Sequence, residues 1–114
     1  MIERLAVLAA LALLLPKPGS AATLGELEAW CAPPDKSGRS GLCEGYLEAN
    51  LELLASPDPT INGGVRACVP PEEDRARIVG LMRDYVHRHP EIRSQDSVMG
   101  LGMALEGHFP CRGK

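Results

Sequence analysis

The chain has 114 residues, with 12 Lys+Arg against 15 Asp+Glu and a formal net charge of −3. No basic patch with interleaved aromatic residues occurs, which argues against a nucleic-acid partner. One Phe, one Trp and two Tyr leave little aromatic surface for a core, so a domain this small is expected to lean on its four cysteines.

The first predicted element concerns export. Arg4 precedes an apolar run, Leu5–Leu15, which is too short to span a bilayer and has the length of a signal-peptide core. Pro16, Pro18 and Gly19 break it, and Ser20-Ala21-Ala22 supplies the small residues of a signal-peptidase site. Residues 1–22 are therefore expected to be a cleaved signal peptide, with 23–114 a single exported domain. No cysteine follows the run closely enough for a lipoprotein. Without Glu3, Arg4 and Lys17 the mature chain carries a net charge of about −4. It has no second apolar stretch, so no membrane association is expected after cleavage.

A short helix is predicted over Thr23–Cys31. Thr23 with Glu26 three residues later forms a capping-box pattern, and Leu24, Leu27 and Cys31 share one face. Pro33-Pro34 ends it before a polar loop, Asp35–Gly38. The next helix runs from about Ser40 to Leu54, burying Cys43, Leu47, Leu51 and Leu54 with Tyr46 beside them. Glu44, Glu48 and Glu52 line its solvated face. Gly41 and Gly45 are read as permitting close packing rather than marking a dimer seam.

Ala55–Val69 holds Pro57, Pro59, Gly63 and Gly64 without periodicity and is predicted to be a loop. Pro70-Pro71-Glu72-Glu73-Asp74 then reads as a helix start, with proline and acids in the first turn. Ile78, Val79, Met82, Tyr85 and Val86 form its apolar stripe, and His89-Pro90 closes it. Ser94 or Asp96 caps a last helix reaching about Gly107, with Val98, Leu101, Ala104 and Leu105 buried. Gly100, Gly102 and Gly107 weaken that helix by roughly 1 kcal/mol each relative to alanine. The fold class is all-α, a small disulfide-stapled bundle of about four helices.

The closing stretch, Phe109-Pro110-Cys111, explains how so weak a helix is held. Cys31, Cys43, Cys68 and Cys111 in an exported chain read as two disulfides. Zinc is disfavoured because no C-x2-C pair exists and 11, 24 and 42 residues lie between successive cysteines. Three pairings are open. An antiparallel hairpin of the two helices after residue 70 favours Cys68–Cys111, leaving Cys31–Cys43.

No catalytic constellation is recognised. Ser37, Ser40, Ser56, Ser94 and Ser97 lack a nucleophile-elbow setting. His87 and His89 point to different faces and read as surface residues near a helix C-terminus, and His108 as a packing or capping residue. No catalytic residue, metal or cofactor is expected, and the protein is read as non-enzymatic.

An ordered set of motifs carries a resemblance. Trp30-Cys31, Cys43-x-Gly45-Tyr46-Leu47, Cys68-x-Pro70, Tyr85-Val86-x-x-His89-Pro90-Glu91 and Ala104-Leu105-x-x-x-Phe109-Pro110-Cys111 follow one another over nearly the whole mature chain. In this the sequence resembles the Rap/Tai family of immunity proteins, exported helical proteins of Gram-negative bacteria. The resemblance implies an all-α periplasmic protein with disulfides. It also implies a peptidoglycan amidase effector of type VI secretion as the inhibited partner, and a possible homodimer. The glycine-rich last helix and Ser94–Val98 depart from the family pattern.

A stapled bundle that presents a preformed loop loses less entropy on binding. The expected contact surfaces are the 57–66 loop, with Asp58, Asn62 and Arg66, and the His87–Arg93 turn, where Arg88 and Arg93 meet acidic groups. The alternative is a general periplasmic chaperone or envelope-associated structural protein. Low aromatic content argues against a broad hydrophobic client face.

Overall fold

The computed structural model describes residues 22–32 and 41–112. The expected signal segment up to Ala21, the Pro33-Pro34 break, the Asp35–Gly38 loop and the Ser40 helix start lie outside the described residues. Within them the chain is all-α: four helices of two turns or more, a one-turn helix and a 3₁₀ segment.

Helix α1, Leu24–Trp30, begins as its sequence predicts. Thr23 Oγ1 accepts from the Glu26 N–H at 3.2 Å, and Glu26 Oε1 accepts from the Thr23 N–H at 3.0 Å. Leu24, Leu27 and Cys31 face inward. Helix α2, Gly41–Ala55, buries Cys43, Leu47, Asn50, Leu51 and Leu54. Gly41 and Gly45 do not serve close packing within the chain, contrary to expectation. A Cβ at either would meet nothing within 4 Å, and Gly41 has φ +58°.

The segment expected to be a plain loop contains helix α3, Pro59–Asn62. Asp58 caps it, Pro59 occupies its first turn, and Gly63 ends it in the left-handed region at φ 68°. The Asp-Pro start and Asn-Gly-Gly stop are the local signals. They make a single turn, too short to show any periodicity.

Helix α4, Arg75–Arg88, starts later than the proline pair suggested. Asp74 accepts from the Ala76 N–H at 3.0 Å, while the Glu73 N–H turns back to the Pro70 carbonyl at 3.0 Å. A carboxylate N-cap satisfies a donor that proline cannot, so the helix begins after Asp74. Ile78, Val79, Met82 and Val86 are buried. At the other end the His89 N–H bonds Tyr85 O at 2.8 Å, and a 3₁₀ segment, Pro90–Ser94, inserts Ile92 into the core.

Helix α5, Ser97–Leu105, is capped by Asp96 rather than Ser94 and ends two residues before Gly107. It lies at the centre, packed against α1, α2, α3 and α4. Its glycines permit that position. A Cβ at Gly100 would sit 2.9 Å from Leu24 Cδ2, and one at Gly102 2.7 Å from both Leu54 Cδ2 and Val65 Cγ1. The intrinsic helical weakness is exchanged for close approach of neighbours on two sides.

Three tethers fix the termini of these helices. The Leu24 N–H donates to Gln95 O and the Ser97 N–H to Ala22 O, each at 2.9 Å, joining the starts of α1 and α5. Cys31–Cys43 links the end of α1 to the start of α2, with a Cα separation of 4.9 Å. Cys68–Cys111 spans 5.0 Å between Cα atoms, and beside it the Cys68 N–H donates to Phe109 O at 2.8 Å. The terminal cysteine thus anchors the chain that leaves α5.

Candidate partner-binding surface

Among the described residues no group of three or more His, Cys, Asp or Glu side chains is placed to hold a metal, and every cysteine is in a disulfide. The informative features are on the surface. The 57–66 segment gathers at the C-terminal end of α2, and its three expected contact residues have different positions.

Asp58 is exposed, and its Oδ1 accepts from the Thr60 N–H at 2.9 Å and from Thr60 Oγ1 at 2.7 Å. The Thr60 hydroxyl and then the Thr60 amide hold its carboxyl below the usual aspartate value. Asn62, by contrast, is only 1 % exposed. Its Nδ2 donates to Leu53 O and Ser56 O, at 3.2 and 2.8 Å, and its Oδ1 accepts from the Gly64 N–H at 3.0 Å. Its amide is spent on holding the turn, so it does not form part of the outward surface. Arg66 Nη2 donates to Ala55 O at 3.0 Å, capping the carbonyl end of α2.

The His87–Arg93 turn lies on a different segment. Arg88 pairs with Asp84 one turn back at 3.1 Å, and Arg93 reaches Glu28 of α1 at 3.2 Å. Both arginines are half exposed, and ion pairs of this kind contribute at most about 1 kcal/mol. Their charges are locally balanced rather than presented alone.

A further surface was not anticipated. The most exposed large apolar side chains among the described residues are Leu42, Ile61, Tyr46 and Leu53. Leu42, Tyr46, Ala49 and Leu53 follow i, i+4, i+7, i+11 spacing, a second apolar row on α2 that flanks its buried stripe. The Tyr46 ring rests against Trp30, with centroids 4.7 Å apart. Ile61 projects from the one-turn helix that packs on α2. That row was legible in the sequence, but the buried stripe beside it took the helical signal.

On the shoulder of the same helix, Glu44, Glu48 and Glu52 stand exposed. Glu48 is held by Arg75 of α4 through two hydrogen bonds, one from Nε and one from Nη2 to Oε1 at 3.0 Å. That bond raises the Arg75 pKa. Beside the pair is an open cleft of about 320 Å³, floored by Leu51, Val69 and Pro71 and rimmed by Glu48, Glu52 and Arg75.

A doubly stapled helical domain with an apolar and acidic face has the form of a small protein-binding module. Comparison with family sequence profiles matches the Rap1a immunity proteins over residues 23–111, and the chain belongs to that family. Comparison with curated proteins and with solved structures gave no match. Family membership gives the role in outline, effector immunity, and implies a partner effector protein.

Proposed function

We propose that the protein is a periplasmic immunity protein that binds a peptidoglycan amidase delivered by type VI secretion and blocks its active site. The observation that carries this is the family match, which covers nearly all of the stapled domain and begins at Thr23, where the leader is expected to end. Two disulfides fit an oxidising compartment. No helix among the described residues is long and apolar enough to cross a membrane. The chain acts here by binding alone, without turnover and without a cofactor.

The test is recovery of the protein from its own periplasm with its disulfides intact. One stoichiometric peptidoglycan amidase is expected, whose cleavage of isolated sacculi stops at one equivalent of the purified chain. A second reading, a chaperone for unfolded envelope proteins, draws on the exposed apolar row of α2. It predicts many substoichiometric clients and no inhibition.

A further inference from the structure

We infer that the outer face of α2 is the surface on which the protein partner docks, and that the partner brings apolar side chains flanked by Lys or Arg. The inference rests on the immunity reading for the existence of a protein partner, and it adds where that partner sits and what chemistry it carries.

Three observations converge on this face. The first is the placement of exposed apolar side chains. Leu42 is 57 % exposed, Ile61 43 %, and Tyr46 and Leu53 38 % each. They are confined to α2 and the turn packed on its end, where a soluble surface gains nothing from them unless they are covered. Gly41, Gly45 and Ala49 leave the backbone beside them open to close approach. Tyr46 is held by Trp30 before any partner arrives, so little rotamer freedom is lost on binding.

The second observation is charge. Helix α2 carries Glu44, Glu48 and Glu52 and no basic residue. Arg75 balances Glu48, whereas Glu44 and Glu52 form no ion pair among the described residues. A second copy of α2 brings acidic side chains and no basic one to a contact between copies. Basic groups on a different protein complement them.

The third is the cleft beside Glu52. Leu51, Val69 and Pro71 offer an apolar floor for the methylenes of a lysine or arginine, and the Glu52 carboxylate waits at the rim for its charged end. The apolar row takes the partner's hydrophobic anchor, and the cleft on the other shoulder of α2 takes a cation.

The test is site-specific photo-crosslinking of the full chain in its own periplasm. The crosslinker p-benzoylphenylalanine replaces Leu42, Tyr46 or Leu53, with His87 on α4 as the control position. The expected result is one adduct to a different protein from the α2 positions, and little from His87. The crosslinked peptide of the partner carries Lys or Arg beside apolar residues. The double variant Glu44→Lys/Glu52→Lys lowers the yield on the order of tenfold, while its thermal unfolding and disulfide content match the parent.

An adduct between two copies, adducts only from His87, no adduct, or a yield indifferent to charge reversal would each overturn the inference. The identity of the crosslinked protein tests the proposed function separately. A charge-sensitive adduct to a protein that is not an amidase leaves the docking face standing and removes the amidase. An amidase captured only through His87 does the reverse.

Discussion

Asn50 Nδ2 donates to Ser97 Oγ at 3.1 Å across the interior, joining α2 to the first residue of α5. Asn50 is 4 % exposed and Ser97 3 %. Ser97→Ala strands the Asn50 amide away from water, a loss of about 1–3 kcal/mol. Urea unfolding should show a lower midpoint with an unchanged slope. Asn50→Leu combined with Ser97→Ala removes both polar groups and should recover most of that loss. A double variant as unstable as the sum of the singles would show that the pair is not the source.

Two glycine-to-alanine changes should have opposite signs. Gly80→Ala, in the interior of α4 with nothing within 4 Å of its Cβ, should stabilise by about 0.5–1 kcal/mol through helix propensity. Gly102→Ala enjoys the same propensity gain but drives a Cβ to 2.7 Å from Leu54 and Val65. It should destabilise by about 1–3 kcal/mol, as overpacking does. Thermal melts of the two variants, read by circular dichroism, check the contrast.

The disulfides should differ in worth. Cys68–Cys111 closes a separation of 43 residues and Cys31–Cys43 one of 12. In the chain-entropy model these stabilise by about 4 and about 3 kcal/mol respectively. Paired Cys→Ala variants should therefore unfold at lower denaturant in that order. The reverse order would mean that the first disulfide holds α1 and α2 through native packing rather than loop entropy.

Asp58 predicts a pH dependence of definite sign. Its native pKa lies below the unfolded value because Thr60 donates to its charged form. The stabilisation is complete above the ordinary carboxylate range and disappears as pH falls through the lowered native pKa. Asp58→Asn keeps a capping oxygen without the charge. The wild type should exceed this variant in stability at neutral pH, and the two should converge in acid. A gap that widens in acid would contradict the assignment.

Sequence reasoning recovered the elements whose cause is local. The Thr23–Glu26 box, the apolar stripes of α2 and α4 and the His-Pro stop each depend on residues a few positions apart, and Cys111 was placed with distant Cys68 only through the expected helical hairpin. It missed α3 because a single turn has no period. It placed the start of α4 at the prolines because both Pro and Asp favour a first turn, and only the Asp74 hydrogen bond decides between them. Gly100 and Gly102 were legible as weak points, but Leu24, Leu54 and Val65 are remote in sequence, so their purpose was not. Asn62 looked like a loop residue available to a partner, whereas its three hydrogen bonds turn it inward. On α2 two apolar rows compete for one helical signal, and burial alone separates the core from the exposed face.

As an immunity protein of the proposed kind, this chain protects its own cell from an effector delivered by neighbouring cells. The most direct measurement is survival of a strain lacking this gene when grown in contact with its parent. On the proposed function the deletion strain is killed by lysis, and only when the parent's type VI secretion is intact. The full-length chain should restore survival, and a chain deprived of residues 1–22 should not. Equal survival of deletion strain and parent, with secretion active, would contradict it.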